Sequence, residues 1–388
     1  RTARVSIADP LPKCVTLTLG DQIYVAKDEL PATLRNQLLR LAAFQNPEFY
    51  KAQAMRISTY GKPRIIACAE ELDRHIALPR GCWEEIQALL GELHVEVDVR
   101  DQRFAGTPLQ ATFQGHLRPE QLAAARCMLA HDTGVLSATT AFGKTVVAAW
   151  LIAERAVNTL VLVHRRQLVD QWIERLSSFL GMPRQEIGQI GGGKRRVTSN
   201  LDVAVIQSLA RKGIVQDLVG DYGHVIVDEC HHLAARSFEL VARRAKAKYV
   251  MGLSATVTRK DGHHPIIFMH CGPVRYRADA KTAAKERPFA HAVHVRPTSF
   301  RPLTEADPDR RLQFHALYQE LIADEDRNRL ICDDVLEALR DGRSPLLLTE
   351  RKEHLRALAD RLTPHVRNVV VLCGGRGAKE SRAAANQL

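Results

Sequence analysis

The chain has 388 residues, of which 45% are hydrophobic and 26% charged, and these ordinary values exclude a wholly disordered protein. A domain takes roughly 100–200 residues, so two or three domains are expected. No apolar run reaches the ~20 residues of a membrane helix, and the charged N-terminus lacks the apolar core of a signal peptide. The eight cysteines are scattered without a CxxC pair. We therefore expect a reduced, cytoplasmic protein without membrane association.

The positive charge is concentrated in one part of the chain. Residues 1–112, 113–285 and 286–388 carry formal net charges of 0, +10 and +1, which account for the total of +11. A basic middle segment in an otherwise neutral chain indicates a polyanionic partner, for which nucleic acid is the first candidate. The alternative is that the excess charge only keeps the protein in solution.

The first 112 residues predict a small accessory α+β domain. Residues 14–25 alternate like two half-buried strands around a Gly-Asp turn, and residues 94–100 alternate in the same way. Residues 31–44 and 82–91 have the apolar spacing of helices. This domain is a candidate for nucleic-acid recognition.

Aromatic and basic residues are interleaved between these elements. They are Phe44, Phe49, Tyr50, Lys51, Arg56, Tyr60, Lys62 and Arg64. Aromatic rings next to cations could stack bases and hold phosphates. The alternative interpretation is that the rings belong to the core and the cations form a solvated rim.

From residue 134 onward, short apolar strands alternate with helical stretches. Continuous apolar runs separated by helices predict an α/β fold with a parallel sheet covered on both faces, here over residues 113–285. Residues 286–312 are rich in Pro and Arg and predict a linker. Residues 313–388 then predict a helix over 313–340 and a strand–helix–strand unit that opens a second, similar lobe. Because the chain begins with Arg1 and ends after a polar stretch, we expect a piece of a longer protein.

A candidate phosphate site follows the strand at residues 134–138. The loop Thr140-Ala141-Phe142-Gly143-Lys144-Thr145 leads directly into a helix. Such a loop directs backbone N–H groups and a helix N-terminus at phosphate oxygens. Lys144 would bind the β- and γ-phosphates, and the Thr145 hydroxyl would bind Mg²⁺. Ala138 stands where the GxxxxGK[ST] pattern has its first glycine.

A buried strand further along the chain ends in two carboxylates. Asp228 at the end of this strand would hold Mg²⁺ opposite Thr145. Glu229 would orient and deprotonate the attacking water. Cys230, His231 and His232 are also zinc-ligand types, but adjacent residues chelate one ion poorly and no second cluster lies at ligand spacing. We instead expect His231 to connect the nucleotide site to a moving neighbour.

That neighbour is the sequence Ser254-Ala255-Thr256, which closes the next strand. Its two small hydroxyl residues could bond to the carboxylate–histidine cluster and change partners when the γ-phosphate leaves. Ser254 and Thr256 are therefore candidate coupling residues.

These motifs resemble a known family. ATTAFGKT, DECHH and SAT, in this order on successive strands, are similar to motifs I, II and III of the superfamily 2 DEAD/DEAH-type helicases and translocases. The resemblance covers residues 113–388 and implies RecA-like motor lobes, ATP and Mg²⁺ as cofactors, and a nucleic-acid track, for which we expect DNA rather than RNA. It further implies that Gln121 bonds the adenine base and that Arg118 packs near it.

The same resemblance assigns residues to the nucleic-acid backbone. They are Arg165, Gln167, Gly192, Gly193, Lys194, Gln207 and Ser208. The glycines could equally form a plain surface turn. Arg259 and Lys260 fall where the XPB-like branch has a charged strand-separation element, although that element reads Arg-Glu-Asp and this chain has Arg-Lys-Asp.

Within the superfamily, the chain resembles the XPB-like and restriction-translocase branch, and most of all the helicase of bacterial TOTE conflict systems. The resemblance implies a helicase or duplex translocase, with an associated nuclease or other defence component as a further partner. No QxxGRxxR motif follows Thr349-Glu350-Arg351, so an arginine finger is missing and we expect ATP binding with poor hydrolysis. Two alternatives remain open. One is an ATP-gated recognition module without unwinding, and the other is a P-loop kinase or GTPase without nucleic acid.

Overall fold

A computed structural model describes residues 9–28, 30–211, 213–232, 236–257, 261–278, 292–302 and 310–373. The chain divides into two compact units, Arg1–Pro288 and Phe289–Leu388. No helix among the described residues is long and apolar enough to cross a membrane.

The first unit begins with a five-stranded sheet, in which β1 and β2 alternate between buried and more exposed side chains. The N-terminal strands are β1 (Cys14–Leu19), β2 (Ile23–Ala26), β3 (Ala43–Gln45), β4 (Ile65–Ala67), β5 (Glu70–Glu71), β6 (His75–Leu78) and β7 (Glu96–Asp101). The sheet has the order β5-β6-β2-β1-β7, and β3 pairs separately with β4. The helices are α1 (Ala32–Leu41), α2 (Pro47–Ala54) and α3 (Trp83–Glu92). Leu17, Leu34, Leu38 and Ile86 are among the buried residues of the core between them.

A larger sheet of eight strands follows in the same unit. Its members and a small hairpin are β8 (Thr133–Ser137), β9 (Thr159–Val163), β10 (Gly188–Gly191), β11 (Lys194–Arg196), β12 (Leu201–Val205), β13 (Ala210–Arg211), β14 (Ile214–Val215), β15 (His224–Val227), β16 (Tyr249–Ser254) and β17 (Val274–Arg277). The order is β11-β10-β12-β9-β15-β16-β8-β17, and β13 pairs only with β14. Every neighbouring pair in the large sheet is parallel except β10 and β11.

Helices cover both faces of this sheet. They are α4 (Pro119–Leu129), α5 (Lys144–Arg155), α6 (Arg166–Leu180), α7 (Ile206–Leu209), α8 (Arg236–Arg244) and α9 (Pro265–Cys271). Successive residues of β9 enter opposite cores, since Val161 and Val163 lie in one cluster and Leu160 and Leu162 in the other. This explains why the strand is continuously apolar. The prediction of an α/β fold with a large parallel sheet is confirmed.

The N-terminal sheet is fastened to the large sheet by Arg80. This side chain is 8% exposed, and its guanidinium donates to the carbonyls of Ala245 and Ala247, just before β16. It also donates to the carbonyl of Asp21 in the N-terminal sheet at 3.0 Å. Next to it, a Cβ on Gly81 would lie 1.9 Å from the carbonyl oxygen of Phe268 in α9, so the two backbones approach each other closely.

The second unit contains helices α10 (Arg310–Ala323), α11 (Glu325–Arg340) and α12 (Lys352–Leu362). The prediction of one helix over residues 313–340 is wrong, because the chain breaks at Asp324. Its carboxylate accepts a hydrogen bond from the Arg327 N–H at 2.7 Å and caps α11.

The two strands predicted at 344–351 and 368–372 are also not formed in the described part of this unit. Both segments lack a partner ladder there. Leu346 and Leu348 are 79% and 84% exposed, so this run does not enter a sheet core.

The parallel arrangement decides where the site lies. The carboxyl ends of β8, β9, β10, β12, β15 and β16 meet at one edge of the large sheet, which is the usual ligand-binding edge of open α/β sheets. The loops that carry most of the predicted site residues follow these strands, whereas Arg118 and Gln121 lie at the start of α4.

Candidate nucleotide and nucleic-acid site

The phosphate loop is formed by a 3₁₀ turn, Thr140–Phe142, between β8 and α5. Gly143 then takes the left-handed conformation with φ of 87°, and α5 begins at Lys144. A Cβ at position 143 would lie 2.5 Å from the Gln121 side-chain nitrogen. Ala138 does not take a positive φ, so its position needs no glycine. The local sequence therefore folds into a strand–turn–helix loop with the helix N-terminus exposed to a ligand.

Lys144 is held at the base of this loop. The side chain is 6% exposed, and its Nζ donates to the Ala138 carbonyl at 3.1 Å. The same atom lies 3.5 Å from Oε1 of Glu229. The lysine and the acidic pair, both predicted from the sequence, therefore lie next to each other.

A cavity of about 170 Å³ opens between these groups. It is lined by Thr140, Gly143, Lys144, Thr145, Leu168, Gln171, Trp172, Arg175, Asp228 and Glu229. The Thr139 hydroxyl nearby is buried without a hydrogen-bond partner among the described residues. A cavity with cations, a hydroxyl, carboxylates and an unused donor fits a triphosphate with its metal ion.

Asp228 is held from two sides at the end of β15. Its N–H donates to the Leu162 carbonyl on β9 at 2.9 Å, and its Oδ2 accepts from Trp172 Nε1 at 2.7 Å. Burial raises the pKa of Asp228 above its ordinary value, while the Trp172 hydrogen bond acts in the opposite direction. Glu229 follows in the left-handed region with φ of 47°, a strained conformation for a residue with a side chain.

The candidate magnesium ligands are Thr145 and Asp228. Among the described residues, no group of three or more His, Cys, Asp or Glu could hold a metal ion. Mg²⁺ is usually bound by only one or two carboxylates together with phosphate oxygens and water. The donor set at the cavity has this chemistry and would let the ion neutralise phosphate charge.

His231 connects the acidic pair to the next strand. Its Nδ1 lies 2.8 Å from Ser254 Oγ and 3.2 Å from Glu229 Oε2. The Ser254 hydroxyl also accepts from the Thr256 N–H at 3.2 Å. A change at Glu229 can therefore reach Thr256 through two side chains.

Arg118 and Gln121, expected near the adenine base, both contact the phosphate loop. Both side chains donate to the Phe142 carbonyl, each at 2.7 Å. Oε1 of Gln121 accepts from the Arg118 N–H at 2.9 Å, and the Gln121 side chain is 6% exposed. In this conformation the pair supports the phosphate loop from behind.

The residues assigned to a nucleic-acid backbone lie in three adjoining loops at the same sheet edge. Arg165, Gln167, Gly193, Lys194 and Gln207 are exposed, and Gly192 and Ser208 are half-buried. The loops after β9 and β10 touch, because a Cβ on Gly192 would lie 2.7 Å from Arg166 Nε. Gly191 approaches the Ser208 hydroxyl in the same way, at 2.5 Å. Arg259 and Lys260 lie outside the described residues.

Sequence reasoning missed one wall of the cavity. Leu168, Gln171, Trp172 and Arg175 share one face of α6 at spacings of three and four residues. The available signal was this spacing, with a polar and a basic residue on the face that also carries Trp172. This spacing indicates a cavity wall only when the strand order, with β9 beside β15, is known.

The fold and the site together define an α/β protein with a phosphate loop on a RecA-like sheet. Residues 114–259 match the family model described as "Type III restriction enzyme, res subunit". Over 68% of this chain and 99% of that one, the structure resembles the UvsW helicase from bacteriophage T4, with a TM-score of 0.52 and 16% identity. At this identity the likeness concerns the fold alone.

Two curated relatives are similar in sequence. A putative ATP-dependent RNA helicase, L396, of Acanthamoeba polyphaga mimivirus is 32% identical over 44% of this chain and 33% of its own length. The DNA 3'-5' translocase XPB2 of Sulfurisphaera tokodaii is 30% identical over 43% of this chain and 37% of its own length. The chain thus spans about a third of the length of these relatives. Each of these matches covers less than half of this chain, and the relatives are named a helicase and a translocase.

Proposed function

We propose that this chain is the ATP-binding part of a superfamily 2 motor that unwinds DNA or translocates along it. The proposal depends on one observation, which is that Lys144, Thr145, Asp228 and Glu229 line a single cavity at the carboxyl edge of the sheet. The loops proposed to grip nucleic acid emerge from the same edge.

In this proposal each residue of the cavity has a defined role. Lys144 binds the β- and γ-phosphates, and Thr145 and Asp228 hold Mg²⁺. Glu229 orients and deprotonates the attacking water. His231, Ser254 and Thr256 transmit the state of the site to the neighbouring strand, and Arg118 and Gln121 hold the loop and border the adenine.

DNA is the proposed track. The archaeal relative is named a DNA translocase, whereas the viral relative is named an RNA helicase. The net charge of +10 over residues 113–285 suits a grip on the phosphate backbone. Such a grip is independent of base sequence and weakens steeply with salt. Arg259 and Lys260 belong to this proposed surface.

The proposed rate of hydrolysis by these 388 residues alone is low. No QxxGRxxR occurs in the sequence, and an arginine finger contributes roughly 10³–10⁵ in rate in comparable phosphoryl-transfer systems. We further propose a place in a TOTE-type conflict system, a nuclease or other defence component as a partner, and a cytoplasmic location.

The nucleotide site is tested by a titration with a fluorescent ATP analogue and Mg²⁺. Replacing Lys144 with Ala should weaken binding by at least about 100-fold, since the charge that meets the phosphates is lost. Lys246 is exposed and lies outside the cavity, so Lys246→Ala is the matched control. Equal affinity of the Lys144 variant and the wild type would overturn the assignment.

The class of protein is tested by the effect of DNA on ATP turnover. DNA should raise the slow ATP turnover of a motor, whereas it should leave the turnover of a P-loop kinase or GTPase unchanged. A strand-displacement assay on a longer chain with a complete second lobe separates a helicase from an ATP-gated recognition module. Robust DNA-stimulated turnover by the 388 residues alone would contradict the proposed slow hydrolysis.

A further inference from the structure

The segment from the end of α2 to the start of β4, residues 53–65 and called the 53–65 loop, exposes an unusual amount of apolar surface. Tyr60 is 96% exposed, and Met55, Ile57 and Ile65 are each more than half exposed. Phe49, by contrast, is buried at the base of the loop, and Phe44 packs against the N-terminal core. The aromatic residues of this region are therefore divided between a core that supports the loop and a ring presented to solvent.

The 53–65 loop is anchored at both ends, and at its start the Ile57 N–H donates to the Ala52 carbonyl at 2.9 Å. The Asn46 side chain donates to the Pro63 carbonyl at 2.8 Å and accepts from the Glu48 N–H, which begins α2. The Asn46 N–H donates to the Arg64 carbonyl at 2.9 Å, beside the β3–β4 pairing. An aromatic side chain on a fixed loop loses little conformational entropy on binding.

The surroundings of Tyr60 are purely basic in sequence. Lys51, Arg56, Lys62 and Arg64 lie between Glu48 and Glu70, and no acidic residue interrupts them. None of these four cations is in a salt bridge within the described part of the chain. The Arg64 guanidinium lies 5.4 Å from the centre of the Phe49 ring. This charge is complementary to a polyanion and does not suit a purely apolar partner.

The base of the 53–65 loop packs against the segment that follows β16 in the lobe of the large sheet. A Cβ on Gly262 would lie 2.5 Å from Cγ of Pro47, the first residue of α2. The ring of His263 lies edge-on to that of Phe44, with 6.3 Å between centroids. Gly262 and His263 follow closely after Arg259 and Lys260 in the sequence. These contacts place the base of the 53–65 loop against the lobe that carries the candidate nucleotide site.

We propose that the 53–65 loop binds unpaired nucleotides, with a base stacked on Tyr60 and phosphates paired with Arg56 and Lys62. Aromatic rings and cations are the two groups that sequence-independent single-strand binding requires. The inference rests on the proposed function for its class of ligand and adds a second contact, outside the parallel sheet.

The test uses the 388-residue chain and a fluorescein-labelled single strand of about 20 thymidines, long enough to span more than one contact. Tyr60→Ala should weaken binding about 5- to 20-fold at constant salt, because one stacking contact is lost. Tyr60→Phe keeps the ring and should remain within about twofold of wild type. The double variant Arg56→Ala, Lys62→Ala should lower the salt slope of binding by about 1.4.

Ile214→Ala is the control, since Ile214 is 76% exposed on the separate β13–β14 hairpin. Single-strand affinity of Tyr60→Ala equal to that of wild type overturns the inference. An equal loss of duplex affinity also overturns it, because a paired base cannot stack on the ring. Failure of the wild type to bind the single strand has the same consequence.

Titration of the fluorescent ATP analogue on the same variants keeps the two proposals separate. Loss of single-strand affinity in Tyr60→Ala with wild-type ATP binding supports the loop. If the chain binds the single strand through Tyr60 and binds no ATP, the loop stands and the proposed motor function fails.

Discussion

The pKa of Asp228 depends on burial and on an indole hydrogen bond that act in opposite directions. Burial raises the pKa of this carboxyl, and the bond from Trp172 Nε1, at 2.7 Å, opposes that increase. A buried carboxylate binds a cation only when it is ionised, so metal binding should strengthen as the pH rises through this pKa. Trp172, which is not a candidate metal ligand, should thereby shift the pH range in which the cavity binds Mg²⁺.

The variant Trp172→Phe isolates this effect. Without the donor, the pKa of Asp228 should rise further, and Mg²⁺-dependent binding of the fluorescent ATP analogue should weaken about tenfold at neutral pH. Raising the pH should restore affinity, because the carboxyl ionises again. Trp83→Phe, in the N-terminal α3, is the control. A loss of affinity that is the same at every pH would refute the role given to the indole.

At the scale of elements, the parallel strands explain both the success and the limits of sequence reasoning. Apolar runs separated by helices predicted the sheet, and the rule that carboxyl ends share one edge brought Lys144 together with Asp228. The wall formed by α6 was missed because it depends on β9 lying beside β15, and strand order is not contained in chain order. The break at Asp324 was missed although Asp324 followed by Glu325 and Asp326 is a usual helix-start signal, and the capping bond of Asp324 marks the break.

The glycine in the turn before α5 should be needed for nucleotide binding. Gly143→Ala should weaken binding of the fluorescent ATP analogue at least about tenfold, since the new Cβ needs a positive φ and would press on Gln121. Gly193→Ala also changes a glycine with positive φ, but nothing lies within 4 Å of its Cβ position. This control should retain ATP affinity. An unaffected Gly143 variant would show that the loop can change its path.

At the scale of the molecule, Arg80 joins the two sheets of the first unit. Burial lowers the pKa of Arg80 to about 10, so the side chain remains charged at neutral pH. Its guanidinium satisfies backbone carbonyls on both sides of the contact. The two sheets should therefore unfold together.

Arg80→Met should lower the free energy of unfolding by about 2–4 kcal/mol, because buried carbonyls lose their donor. Urea denaturation measures the effect. Arg100→Met is the matched control, since the Arg100 side chain is 66% exposed. Unchanged stability of the Arg80 variant, or two separate transitions in the wild type, would contradict the anchor.

Two buried histidines predict a loss of stability in acid. Burial lowers the pKa of His224 well below its ordinary value and that of His270 to about 3. Below pH of about 6.5 the unfolded chain binds protons that the folded chain does not. The free energy of unfolding should therefore decrease as the pH is lowered, by up to about 1.4 kcal/mol per pH unit for each histidine.

Melting temperatures between about pH 7.5 and pH 5.5 test this pH dependence, since the unfolded histidines protonate in that range. The variant His270→Gln should flatten the acid slope, while the exposed His116→Gln should leave it unchanged. A melting temperature that does not change over this range would count against the burial of both rings.

The close approach at Gly81 has a practical consequence for anyone who shortens this protein. Met269 and Ile266 of α9 pack into the core of the N-terminal sheet. A truncated chain that keeps only residues 113–285 would expose this apolar surface to solvent. Such a minimal fragment should aggregate during purification unless those two side chains are first replaced by polar ones.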